Sequence, residues 1–333
     1  MAEITRTERT ERTILLTGAA GYLGRIVLDE LRTAAQSNLR LLALDIRETP
    51  SAQKRDGVFY VQEDIRSEKL ITIFQQHHVQ TVLHLAAIVT PGKRSNRALE
   101  YAIDVLGTEN VLKACVAANV KQIIVASSGA AYGYHADNPT WINETQPLRG
   151  NYAFAYSHHK KLVEEMLARY RREHPELRQT IFRIGTILGE STNNQITALF
   201  EKPRLLAIKG SESPFVFVWD RDVARCFVRA VFTEHTGIYN LAGDGALTLR
   251  EIAAILGKKL FVVPARVLRF SLRLLKIFRL SAYGPEQIDF LRYRPVLDNT
   301  KLKTEYGFTP EKTSREVFEF YAAARRKKLA EFV

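Results

Sequence analysis

The chain has 333 residues, 46% hydrophobic and 25% charged, enough to bury a substantial core of ordinary globular composition. Its two cysteines, Cys115 and Cys226, fall in predicted helices with no metal-ligand spacing around them, so buried free thiols and no metal site are expected. The net charge of +12 comes without a nucleic-acid-binding motif or a stacking platform, which argues against nucleic acid as a partner.

Residues 1–9 are too charged for a secretory leader, and no apolar run is long enough to span a bilayer, so a cytoplasmic location is expected. The first strand, 13–18, leads into Gly18-Ala19-Ala20-Gly21-Tyr22-Leu23-Gly24 and then an amphipathic segment. Strand, glycine turn and helix form a pyrophosphate cradle. Gly18 permits the tight turn, Gly21 lets the backbone approach the phosphates, and Gly24 allows close helix packing. A second strand, 40–44, ends in Asp45, where a carboxylate can accept hydrogen bonds from adenosine ribose hydroxyls and repel the extra phosphate of NADP. NAD is therefore expected ahead of NADP, with Arg47 able to soften the preference. Further strands at 58–62, 80–85, 122–127 and 179–184 alternate with helical patterns. The alternation predicts an α/β fold: a Rossmann-type, doubly wound parallel sheet. Residues 1–192 are read as the dinucleotide-binding domain. Residues 193–333 are read mainly as a smaller substrate subdomain, with a strand returning to the sheet near 215–218.

Tyr156 and Lys160 are four apart in a predicted helix and share a face, so a phenol and an ammonium address one spot. An adjacent cation favours the phenolate, which is general acid/base equipment. His158 and His159 lie between them and are expected at the surface or on a dimer face. The stretch 264–280 sets Arg266, Arg269, Arg273, Lys276 and Arg279 among large apolar residues at helical spacing. It is either a subdomain helix burying its apolar side or a peripheral membrane contact.

The glycine turn, His84-Leu85-Ala86-Ala87, Ser127-Ser128 followed by Tyr132-Gly133, and Tyr156 with Lys160 together resemble the extended short-chain dehydrogenases/reductases, more narrowly their NAD-dependent epimerase/dehydratase branch. The resemblance extends through Val218-Trp219-Asp220 and Gly237-Ile238-Tyr239-Asn240-Leu241 to Val296-Leu297-Asp298. It implies that Tyr156 exchanges the substrate proton while nicotinamide exchanges the hydride. By the same resemblance Lys160 holds the nicotinamide ribose and Ser128 bonds the substrate oxygen. Cofactor contacts implied are Gly18, Gly21, Tyr22, Leu23, Gly24, Asp45, Asp64, Ile65, Ala86 and Ala87, besides Tyr156 and Lys160. Asp104 stands where the family usually has a supporting asparagine and joins the candidate catalytic set. Thr90, in the loop 87–93, and Tyr132 and His135 are expected to border the substrate. The family implies a homodimer, through helices near 99–118 and 152–174.

Departures from the family pattern narrow the chemistry. Gly129, Ala130 and Ala131 follow Ser128, so the Asp-Glu pair of sugar-nucleotide dehydratases is missing. No arginine precedes Phe215-Val216-Phe217-Val218, where many relatives hold a diphosphate, which leaves Arg204 or Lys209 as substitutes. The expected activity is reversible hydride transfer at a secondary alcohol or ketone by an epimerase, possibly on a nucleotide sugar. The alternatives are a dehydrogenase or reductase of a sterol-like or lipid-linked substrate, and a nicotinamide-sensing module without turnover.

Overall fold

The computed structural model describes residues 12–34, 39–89, 96–212, 214–277 and 287–330. Its first half alternates Arg12–Thr17 (β1), Tyr22–Ala34 (α1), Leu39–Asp45 (β2), Val58–Gln62 (β3), Leu70–Gln76 (α2) and Val79–His84 (β4). Arg97–Tyr101 (α3) runs into a π-helical turn, Ala102–Gly107, and then Thr108–Ala117 (α4), Gln122–Ser128 (β5), Ala155–Glu173 (α5) and Arg178–Ile184 (β6). The second half holds Thr186–Leu188 (β7), Gln195–Glu201 (α6), Arg204–Ile208 (β8), Phe217–Trp219 (β9), Asp220–Phe232 (α7), Gly237–Leu241 (β10), Leu249–Leu256 (α8) and Lys259–Val263 (β11). Ala265–Ile277 (α9), Gln287–Arg292 (α10), Thr300–Thr304 (α11) and Ser314–Ala330 (α12) follow.

Seven strands form one sheet in the order β3-β2-β1-β4-β5-β6-β10, every neighbouring pair parallel. A parallel strand covered on both faces must be apolar on both, and Ile14, Leu15 and Leu16 of β1 are all buried. Val27, Leu28 and Leu31 of α1 and Val223, Phe227 and Val231 of α7 cover one face. Phe74 of α2, Leu112 of α4 and Leu167 of α5 cover the other. The order reverses between β1 and β4, the switch point at which such sheets open a ligand crevice. Thr17 registers with Leu44 and with His84, so the glycine turn, Asp45 and the segment after β4 emerge at one edge.

The returning strand differs from the sequence expectation. Phe217–Trp219 pairs with β7 in a separate two-stranded sheet, and the seventh strand of the main sheet is β10. With α7 packed on α1 and β10 paired to β6, residues beyond 192 contribute to the main sheet and its helical cover as well as to the rest of the second half. An apolar run announces a strand but not which edge it joins. A second core, built by Phe200, Phe215, Phe217, Ile252 and Phe318, unites β9 with α6, α8 and α12. Both cysteines are buried and free. Among the described residues no helix is long and apolar enough to cross a membrane.

Candidate active site

A cavity of about 740 Å³ opens at the carboxyl edge of the sheet and runs from the glycine turn to the C-terminal segment around Arg294. Its first wall is Gly18, Gly21, Tyr22, Leu23 and Gly24. Gly18 has φ +72°, and a Cβ there would lie 2.8 Å from the Ala86 nitrogen. A Cβ on Gly24 would fall 2.2 Å from the Gly18 carbonyl oxygen. These contacts leave room for bare backbone only, as a cradle that admits a pyrophosphate to a helix start requires.

A smaller cavity of about 200 Å³ adjoins it, lined by Asp45, Asp64, Ile65, Ala86 and Ala87. The Asp45 carboxylate accepts from the Ala20 backbone N–H at 2.9 Å and from the Arg47 backbone N–H at 3.0 Å. The Arg47 Nε also donates to it at 3.2 Å, so Arg47 folds back onto the acid while staying 60% exposed. Asp64 is clasped by Arg66 at 2.6 Å, which holds its carboxyl below the usual range. The donors, acid and small residues in these two spaces fit a dinucleotide with its adenosine end toward Asp45 and Asp64.

The larger cavity is also lined by Ser128, Tyr156 and Lys160. Ser128 ends β5, and its Oγ accepts from the Ala130 N–H at 3.1 Å as the cap of the 3₁₀ turn Gly129–Tyr132, which leaves the hydroxyl proton to donate elsewhere. Tyr156 and Lys160 lie one turn apart near the start of α5. The Lys160 ammonium is 5.7 Å from the centre of the Tyr156 ring and donates to the Ala126 carbonyl at 2.7 Å. One ammonium proton is thereby committed to β5, leaving two for other acceptors.

Another part of the lining is aromatic and cationic. Tyr134, Phe154 and Phe290 pack ring against ring at 5.1 to 5.6 Å. The Arg294 guanidinium lies 3.7 Å from the centre of the Phe215 ring and 5.2 Å from that of Phe290, and lines the cavity with them. Burial pulls its pKa down to about 9, still above neutrality. Arg204 and Lys209, the cations anticipated from sequence, are exposed and line neither cavity. Tyr134 and Phe154 come from segments more than 130 residues before Phe290 and Arg294, and no local sequence signal joins the two groups.

Four candidate positions differ from expectation or escape description. Tyr132 is buried away from both cavities, its hydroxyl donating to Asn240 Oδ1 at 2.9 Å and accepting from Arg183 at 2.8 Å. The backbone turns through Gly133 at φ +87°, so Tyr134 faces the cavity and Tyr132 does not. His135 places Nε2 2.9 Å from the Gly150 carbonyl and lines neither cavity. Asp104 is buried in the π-helical turn, accepting from the Ile88 N–H at 2.8 Å and bonding His159 Nδ1 at 3.0 Å. It meets no cavity directly but holds Ile88, which does. His159 is therefore buried, not at the surface. Thr90 lies outside the described residues.

Two polar networks brace the site. Glu164 of α5 accepts from Ser127 at 2.5 Å and from Arg183 Nη2 at 2.7 Å, joining α5 to β5 and β6. Burial opposes the charge of Arg183, but Glu164 and Tyr132 outweigh it and keep the guanidinium protonated. Tyr22 donates to Asp220 at the start of α7 and accepts from Thr192 at 2.8 Å, so the glycine turn is fastened to the second half of the chain. Burial, then Asp220, pushes the Tyr22 phenol up and keeps it a donor.

Residues 14–242 match the family model described as the NAD dependent epimerase/dehydratase family. The chain is 24% identical over 321 residues to an uncharacterized protein, Rv0501, of Mycobacterium tuberculosis (strain ATCC 25618 / H37Rv), with 94% of this chain and 84% of that protein covered. Over 186 residues it is 31% identical to the UDP-glucose 4-epimerase of Halalkalibacterium halodurans, covering 55% of this chain and 53% of that enzyme. In three dimensions it is similar to the Thermus thermophilus UDP-glucose 4-epimerase in complex with NAD, with a TM-score of 0.73, 24% identity, and 94% and 99% of the two chains covered.

Proposed function

Because the chain belongs to the NAD dependent epimerase/dehydratase family, we propose that it is an NAD-dependent epimerase that inverts a secondary alcohol of a nucleotide sugar. The observation that carries this reading is that Ser128, Tyr156 and Lys160 line one cavity together with the glycine cradle and Arg294. A dinucleotide laid in the cradle and an anionic substrate drawn to Arg294 would meet at Tyr156. The similar UDP-glucose 4-epimerases support the substrate class.

Bound NAD supplies the hydride acceptor and donor. Tyr156 takes the proton of the substrate hydroxyl as its carbon is oxidised and returns it on reduction. Ser128, its Oγ already turned to the Ala130 N–H, donates its own proton to the same oxygen and stabilises charge there. Lys160 supplies positive charge beside the phenol and a donor for a ribose hydroxyl. Asp45 at the adenosine end favours NAD over NADP. A homodimer is part of the proposal, through the face of α3 and the π-helical turn that exposes Leu99, Tyr101 and Leu106.

A second reading, a dehydrogenase or reductase of a less polar substrate, draws on the aromatic wall of Tyr134, Phe154 and Phe290. Denaturing freshly purified protein and identifying the released nucleotide separates the two. Near-stoichiometric NAD or NADH, with C4 inversion of a UDP-hexose by the intact enzyme, is the expected result. Reversible dinucleotide binding with net reduction of an apolar ketone would replace it.

A further inference from the structure

We propose that α9 and the strand before it form a docking surface for an anionic membrane. Five of the fifteen exposed large apolar side chains among the described residues fall here: Phe261, Val262, Val267, Phe270 and Leu274. On α9 the apolar stripe Val267, Phe270, Leu274 recurs at i, i+3, i+7, and Arg266, Arg269, Arg273 repeat the same spacing one residue earlier. The two stripes therefore run side by side, about 100° apart around the helix. Both are exposed, while Leu268 and Leu272 turn toward the protein and are half-buried.

The charge is one-sided. Residues 258–277 contain six lysines and arginines and no aspartate or glutamate. Among the described residues Asp289 of α10 pairs with this set, 3.8 Å from Arg269 in an exposed contact that neutralises little. A cationic stripe beside an apolar one matches a surface with an anionic outer layer over an apolar interior, the boundary between phospholipid headgroups and acyl chains. α10 packs against α9 and contributes Phe290 to the cavity, so docking brings the substrate end of the site to the bilayer.

The test is co-sedimentation of the full chain with phosphatidylcholine vesicles with and without phosphatidylglycerol. Binding is expected to the anionic vesicles, weakening as salt is added. The variant Arg266→Gln/Arg269→Gln/Arg273→Gln should lower the partition coefficient on the order of 100-fold, from about a fivefold loss per arginine. Phe270→Ser should lower it with the arginines intact. All four residues are exposed and outside the cavity, so dinucleotide binding should be unchanged and serves as the check of folding. Equal binding to neutral and anionic vesicles, or none to either, overturns the proposal. A dimer that Phe270→Ser dissociates, with no vesicle binding, overturns it too and assigns the face to a second copy of the chain.

Discussion

His159 Nδ1 and Asp104 Oδ2 lie 3.0 Å apart in a buried pair that ties the helix carrying Tyr156 and Lys160 to the π-helical turn. The other Asp104 oxygen takes the Ile88 N–H, so one carboxylate fixes both α5 and the loop against the cavity. Asp104→Ala strands the buried His159 Nδ1 and frees the half-buried Ile88 N–H, and should cost about 1–3 kcal/mol of stability from the buried partner. Asp104→Asn retains an acceptor for Ile88 and should recover part of it. Urea melts read the stability, and dinucleotide titration reads the loop. Wild-type values for the alanine variant would refute the positioning role.

His84 gives the fold a pH signature. Its Nε2 is 2.9 Å from Thr108 Oγ1, and Thr108 donates to the Asp104 carbonyl, so the imidazole must donate there and accept from Thr17 at Nδ1. Burial, then the Lys160 ammonium, pushes its pKa down to about 3. Above the unfolded value of about 6.5 both states are neutral and the contribution is fully present. As pH falls from there toward 3, the unfolded chain binds a proton that the folded chain refuses. Stability then falls, by at most about 1.4 kcal/mol per pH unit. Denaturant melts between about pH 7 and pH 5 should show this slope, less of it in His84→Asn. Identical slopes in the two proteins would assign the acid sensitivity elsewhere.

Tyr156→Phe removes the proposed proton carrier and leaves the cradle intact. Turnover should fall by about 10²- to 10⁴-fold with dinucleotide affinity unchanged. Full turnover on an identified substrate would remove Tyr156 from the chemistry.

Gly24→Ala places a methyl group 2.2 Å from the Gly18 carbonyl, a contact only backbone movement can relieve. Dinucleotide affinity should fall further than for Gly57→Ala, where the added Cβ meets nothing within 4 Å and the strain of φ +76° acts far from the site. Equal affinities in the two variants would mean that the cradle does not hold the phosphates.

The sequence made local features visible. Gly18, Gly21 and Gly24 lie within one turn, Asp45 ends the next strand, and Tyr156 and Lys160 share a helix face, so spacing alone grouped them. Contacts across distant segments left no such mark: Tyr22 with Asp220, Glu164 with Arg183, Phe215 with Arg294. Tyr132 and Tyr134 differ by two positions and have opposite fates, because the backbone between them turns through Gly133 at φ +87°. His159 resembled a surface histidine in sequence since its partner, Asp104, is 55 residues away.

Arg294 separates the two substrate readings. Its planar guanidinium stacks against Phe215 and Phe290, a fit that a lysine ammonium cannot reproduce. Burial works against its charge, and an arriving diphosphate would relieve that cost while accepting charge-assisted hydrogen bonds. If the substrate is a nucleotide sugar, Arg294→Met should lower its affinity by roughly 10- to 100-fold, from about 1.5–3 kcal/mol for a hydrogen bond to a charged group. Arg294→Lys should recover little of that loss. Dinucleotide affinity should hold in both, since Arg294 is not part of the glycine cradle. KM measurements with a UDP-hexose and with an apolar ketone decide the matter. A rise for the first places the diphosphate against Arg294, whereas unchanged KM for the ketone with no measurable UDP-hexose turnover leaves the aromatic wall of Tyr134, Phe154 and Phe290 as the feature that selects the substrate.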